Sequence, residues 1–135
     1  MAEQTPRRAL HVVRTIPGRP LVAIHNNDVF QPPTDVYETD NEIIIKVDIA
    51  GVEEASMAVT IEDGVFRVRG YRTDCSAFSK SAVHRMEIMC GEFETHVHLP
   101  HAIDLDSEIE CTYRSGMLTA VLQKEAAHKV RITAE

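Results

Sequence analysis

Alternation of apolar and polar side chains along short segments constrains the fold of this sequence more than any other feature. In residues 42–49 the apolar side chains at every second position are Ile43, Ile45, Val47 and Ile49. A period of two places side chains on one face of a β-strand, whereas a helix face needs spacings of three and four. Ile44 breaks the alternation, and Gly51 ends the segment. The pattern predicts a half-buried strand.

The same short pattern recurs between turn residues along the rest of the chain. Further strands are predicted at residues 35–40, 57–62, 65–71, 83–89, 93–99, 109–113 and 118–122. Turns are predicted at Asp40-Asn41, Glu62-Asp63-Gly64 and Arg114-Ser115-Gly116, because these residue types favour tight hairpin turns. Seven or eight short strands without an amphipathic helix are typical of an all-β sandwich.

The two ends of the chain differ from this middle part, so the sequence divides into an arm (1–33), a sandwich domain (34–124) and an extension (125–135). Prolines interrupt the arm repeatedly. Between them lie apolar side chains that are either packed on something or offered to a partner. They are Leu10, Val12, Val13, Ile16, Leu21, Val22, Ile24 and Phe30. The extension is polar except for Val130 and Ile132.

Composition excludes several classes of partner. The formal net charge of −7 argues against nucleic acid, since binding phosphates needs clustered Lys and Arg. No apolar run reaches the roughly 20 residues that cross a bilayer, and no secretory signal peptide is visible at the N-terminus. Cys75, Cys90 and Cys111 are odd in number and widely spaced, with no C-x-x-C pair, so they do not indicate a disulfide framework. We expect a cytoplasmic protein with no membrane span.

Histidine is the strongest sign of chemistry, but it does not make a convincing site. His96 and His98 would share one face of a strand, with His101 close by, so a metal ion is conceivable there. Solvent-facing polar residues on an outer sheet surface explain the same pattern. No nucleophile elbow or Gly-rich phosphate loop is present. We therefore expect no catalytic residue, no cofactor, no functional metal and no enzyme activity.

Residues 34–124 resemble the alpha-crystallin domain of small heat-shock proteins, close to the bacterial type. The segments that carry the resemblance are 34–39 (TDVYET), 42–52 (EIIIKVDIAGV), 59–64 (VTIEDG), 91–93 (GEF), 98–100 (HLP) and 113–119 (YRSGMLT). The last segment matches the family's signature around its glycine and leucine. The resemblance implies an alpha-crystallin-type, immunoglobulin-like β-sandwich with a variable arm and a short extension.

The resemblance also implies roles for particular residues. Val130 and Ile132 would form the family's tail motif and plug a groove between two strands, with Val59, Ile61, Cys111 and Tyr113 lining it. Bacterial-type members exchange a segment between subunits to form a dimer. The side chains that would make this contact here are Val83, Met86, Ile88 and Met89. Two positions depart from the family pattern, with Ala50 in place of a common proline and Thr95 in place of a usual arginine.

The function that the resemblance implies is that of a holdase, a chaperone that needs no ATP. Such a protein binds unfolding clients through apolar surface, and the arm would supply that surface here. We expect a homodimer that assembles into a larger oligomer. The alternative is an adaptor or co-chaperone like the related p23-like domains, which would bind one folded partner.

Overall fold

A computed structural model describes residues 29–73, 78–79, 81–127 and 130–134 of the chain. Within these ranges the chain forms seven β-strands and one short 3-10 helix, Glu54–Ser56. The strands are β1 Thr34–Glu38, β2 Glu42–Asp48, β3 Ala58–Glu62, β4 Val65–Arg72, β5 Gly91–His98, β6 Glu110–Arg114 and β7 Met117–Gln123. In this part of the chain no helix is long and apolar enough to cross a membrane.

The strands form two antiparallel sheets that share one core. One sheet has the order β1-β2-β7-β6 and the other the order β3-β4-β5. All the ladders within them are antiparallel, with Ile45 opposite Ala120 in the first sheet and Phe66 opposite Val97 in the second. The predicted all-β sandwich is therefore confirmed.

The core explains why the alternation was visible in the sequence. The predicted inward positions of β2 are fully buried, and the partner strand β7 buries its own alternate positions, Leu118, Ala120 and Leu122. Phe66 and Val68 of β4 face them from the second sheet. Ile44, the exception in the pattern, is half-buried on the other face of β2, beside Tyr37 and Val121 of the neighbouring strands.

Two hairpins turn at the predicted positions. Asp63 and Gly64 join β3 to β4 with φ angles of 50° and 74°, and Ser115 and Gly116 join β6 to β7 with 52° and 76°. Two successive positive φ angles define the type I′ turn, whose twist matches that of the flanking strands. Both turns have two residues, so they also set the register of their hairpins.

Replacing Gly116 with alanine is expected to cost far more stability than the same change at Gly64. Both glycines have φ near +75°, a conformation that costs an L-residue about 1–2 kcal/mol. A Cβ at Gly116 would also lie 2.8 Å from Ala50 Cβ and 2.9 Å from Ala50 Cα, whereas nothing lies within 4 Å of one at Gly64. Relieving such a contact adds about 1–3 kcal/mol.

Chemical denaturation of Gly116→Ala and Gly64→Ala separates the two costs. Gly64→Ala reports the backbone strain alone, and the additional loss in Gly116→Ala reports the contact with Ala50. Equal losses of unfolding free energy in the two variants would contradict the close approach of Gly116 to Ala50.

Candidate functional site

Two edge strands carry the residues that were predicted to line a groove. β3 is an edge of the three-stranded sheet and β6 an edge of the four-stranded sheet. Val59 and Cys111 are 1% and 2% exposed and belong to the core, while Ile61 and Tyr113 are partly buried and pack against it. Any apolar surface that these four residues offer to a partner therefore comes from Ile61 and Tyr113.

Two residues of this set, Cys111 and Tyr113, carry polar atoms that the fold keeps neutral or hydrogen-bonded. Burial raises the pKa of the Cys111 thiol to about 11, so it stays neutral at physiological pH and acts as an apolar side chain. The Tyr113 hydroxyl donates a hydrogen bond of 2.9 Å to the carbonyl oxygen of Ile49, which holds its ring in place. Cys111 is therefore a core residue rather than a nucleophile.

The extension presents its two apolar side chains to solvent. Residues 130–134 form no strand, and Val130 and Ile132 are 83% and 89% exposed. Side chains two positions apart in an extended segment point the same way, so both can enter neighbouring pockets. Both side chains are therefore accessible in the single chain.

The segment before β5 is a second exposed apolar surface. Residues 83–89 were predicted to form a strand, but they form none in the described chain. A strand needs a hydrogen-bonded neighbour, and this segment pairs with none of the seven strands that the structure describes. Its apolar side chains stand out into solvent at 55–67% exposure, and they are Val83, Met86, Ile88 and Met89.

β1 is the edge strand on the opposite side of the four-stranded sheet. Val36 and Tyr37 are 42% and 49% exposed, which leaves apolar surface beside an edge of backbone hydrogen-bonding groups. The Tyr37 hydroxyl donates a 2.8 Å hydrogen bond to Asp35, and this bond and the carboxylate charge raise the pKa of Tyr37. The phenol therefore stays protonated.

The predicted arm lies mostly outside the described residues. The side chains concerned are Leu10, Val12, Val13, Ile16, Leu21, Val22 and Ile24. Phe30 is described, and of the two alternatives for the arm, packed on the protein or offered to a partner, it takes the first. It is only 9% exposed, its ring centroid lies 5.7 Å from that of Phe93, and the Arg72 guanidinium stacks over it at 5.1 Å. The sequence offered no signal for this packing, because Phe93 and Arg72 are distant in the chain.

The outer face of the three-stranded sheet carries the histidine pair. The rings of His96 and His98 lie 6.0 Å apart, edge to face. Next to them Arg67 and Arg69 approach the Glu94 carboxylate at 2.8 and 3.7 Å. Among the described residues no group of three or more His, Cys, Asp or Glu side chains is placed to hold a metal ion.

Thr95, the residue that stands where an arginine is usual, is buried between the sheets. It is 1% exposed, and its hydroxyl lies 2.9 Å from that of Thr34. Because Thr34 donates its own proton to the carbonyl oxygen of Pro32, the hydrogen between the two hydroxyls comes from Thr95. This chain of hydrogen bonds connects β5 to the start of β1 without a charge.

Comparison with known proteins finds a family match for the region that forms the sandwich. Residues 35–134 match the Hsp20/alpha crystallin family. The 17.6 kDa class I heat shock protein of Helianthus annuus is 29% identical over 119 residues, which are 87% of this chain and 74% of that protein. Small heat shock protein C2 of Rickettsia felis is 25% identical over 100 residues, and this chain spans 64% of its length.

Solved structures share the fold over the same region. HspA of Xanthomonas axonopodis superposes with a TM-score of 0.65 at 26% identity, covering 73% of this chain and 98% of that one. A small heat-shock protein of Xylella fastidiosa, whose crystal structure reveals a distinct high order structure, gives 0.64 at 26% identity over 77% and 94% of the two chains.

Proposed function

Because the chain belongs to the Hsp20/alpha crystallin family, we propose that it acts in the cytoplasm as an ATP-independent holdase that binds unfolding proteins and prevents their aggregation. The observation that carries the proposal is where its apolar surface lies. The sandwich closes its own core, while large apolar side chains are exposed on the tail and on the segment before β5. Exposed apolar surface of this kind marks protein–protein contact.

Assembly would use those two surfaces. We propose that residues 83–89 leave their own subunit and pair with a free sheet edge of a second copy, which would make the dimer. β1 is the best receiver, since it combines an edge position with the exposed Val36 and Tyr37. Val130 and Ile132 would then dock at the partly exposed Ile61 and Tyr113 of another dimer and build the larger oligomer.

Client binding would come from the arm. In the assembled state we expect the apolar clusters of residues 10–16 and 21–24 to be held in contacts between subunits. Heating shifts a population toward smaller species when it weakens those contacts, and the arms are then available to unfolding chains. Bound clients would aggregate more slowly because their apolar segments are covered.

The proposal is tested by heating an aggregation-prone client with and without the protein, in the absence of ATP, and following light scattering. We expect scattering to be suppressed at near-stoichiometric ratios of chaperone subunit to client. Unchanged scattering at all temperatures, together with the capture of one stoichiometric folded partner, would support a single-partner adaptor instead.

A further inference from the structure

Two segments that lie outside the strands join the sandwich at the same corner. Phe30 of the arm is held to β5 by two main-chain hydrogen bonds of 3.0 Å. Residues 83–89, the exposed segment before β5, enter that strand at Gly91, its first residue. Gly91 is paired with Arg72, the last residue of β4. The described end of the arm and the exposed segment are therefore neighbours.

Arg72 contacts both of them. Its Cζ atom lies over the Phe30 ring, 5.1 Å from the ring centroid, and its Nη1 donates a hydrogen bond of 2.8 Å to the Met89 carbonyl oxygen. Its Nε atom is buried and has no hydrogen-bond partner in the described part of the chain. A cation that has lost part of its water is held more strongly over an aromatic face. The Phe30 ring therefore helps to fix the guanidinium in the orientation that reaches Met89.

The hydrogen bond at Met89 restrains the exposed segment close to a point where the backbone is permissive. Gly91, two residues later, has a φ of 101°, which glycine adopts readily and other residues rarely do. Nothing lies within 4 Å of the position that a Cβ would take there, so the surroundings leave room for other backbone angles. The bond from Arg72 therefore restrains the direction in which residues 83–89 leave the sandwich.

We propose that Arg72 couples the arm to the exposed segment. With the Phe30 ring under its guanidinium, Arg72 holds residues 83–89 in one direction, and withdrawal of the ring releases them. All three groups belong to one subunit, so the coupling needs no second copy. Its consequence for assembly rests on the proposed exchange of residues 83–89 between subunits. A contact that pulls Phe30 away from the sandwich would then also loosen the dimer.

The chain has no tryptophan, so Met89→Trp in the full chain places a single reporter on the segment. Met89 is 56% exposed, and the substitution keeps its carbonyl oxygen. The amplitude of the nanosecond component of the anisotropy decay measures local motion separately from the tumbling of the whole particle. Adding Phe30→Leu keeps an apolar side chain but removes the aromatic face, and we expect the amplitude to increase. We expect an increase from Arg72→Met as well.

Two further variants separate coupling through Arg72 from other effects. With Phe30→Leu and Arg72→Met together, we expect no larger amplitude than with Arg72→Met alone, because both changes interrupt the same path. Arg69→Met is the matched control and should leave the amplitude unchanged, since Arg69 lies on the same strand but approaches Glu94, at 3.7 Å. Circular dichroism checks the fold of each variant. If Arg72→Met does not fold, Arg72→Gln removes the charge and keeps a polar side chain.

An amplitude that Phe30→Leu does not change would overturn the proposal, as would an equal change from Arg69→Met. Additive increases from Phe30→Leu and Arg72→Met would also overturn it, because the ring would then act on the segment independently of the guanidinium. Analytical ultracentrifugation tests the dimer separately, through the subunit dissociation constant. If the amplitudes change as expected while Arg72→Met leaves that constant at the parent value, the coupling stands and the proposed exchange of residues 83–89 fails.

Discussion

Removing residues 1–28 is expected to abolish the protection of aggregating clients while leaving the sandwich folded. The proposed client-binding clusters lie in this stretch, whereas residues 30–123 form the two sheets and the core between them. Light scattering of a heated client measures the loss, and far-UV circular dichroism with a thermal melt measures the fold. A truncated protein that protects clients as well as the full chain would contradict the arm as the client-binding element.

The stability of a truncated protein is expected to depend on whether Phe30 is retained. A truncation after residue 33 also removes the Phe30 ring from its contacts with Phe93 and Arg72. Losing a buried phenylalanine costs about 3–5 kcal/mol. We therefore expect the longer truncation to melt at a lower temperature than the shorter one, although both lose the same arm clusters. Phe30→Ala in the full chain isolates the same contact.

The double substitution Val130→Ala with Ile132→Ala is expected to reduce the oligomer to dimers without destabilising the subunit. Both side chains are more than 80% exposed in the single chain, so its own fold does not depend on them. Alanine removes two carbons from Val130 and three from Ile132. At about 0.8 kcal/mol for each buried carbon, the loss is about 4 kcal/mol per docked tail, or roughly a thousandfold in affinity.

Native mass spectrometry or light scattering coupled to size exclusion gives the mass, and unfolding curves give the subunit stability. Arg131→Ala is the matched control, since in an extended tail its side chain points away from both apolar neighbours. Ile61→Ser should reproduce the smaller mass from the receiving side. If the oligomer of the double variant has the same mass as that of the parent, the tail does not contribute to assembly.

Local pattern was enough to predict the sandwich, and particular residues show why. Strand side chains alternate between the two faces of a sheet, so the buried Ile43, Ile45 and Val47 were already visible as a period of two. The tight turns at Asp63-Gly64 and Ser115-Gly116 could be predicted because positive φ angles favour few residue types. Both are properties of neighbouring residues in the chain.

Residues 83–89 show where local pattern was insufficient. Their apolar side chains suit a strand, yet a strand exists only where another backbone supplies hydrogen bonds, and no described strand of the chain does so. Phe30 shows the opposite case. The sequence pattern assigns it to the arm, whereas in the structure it is buried against Phe93. From the sequence, Thr95 was interpreted as the loss of a charge. In the structure its hydroxyl forms a hydrogen bond with that of Thr34.

The sequence by itself determined the all-β class, the two tight hairpin turns and the inward faces of the strands. Each of these depends on a residue and its near neighbours. Only the tertiary structure decided which strands lie at the sheet edges, and that Ile61 and Tyr113 stay partly exposed while Val59 and Cys111 are buried. Those features arise where segments far apart in the chain meet, and burial depends on all the partners of a residue at once.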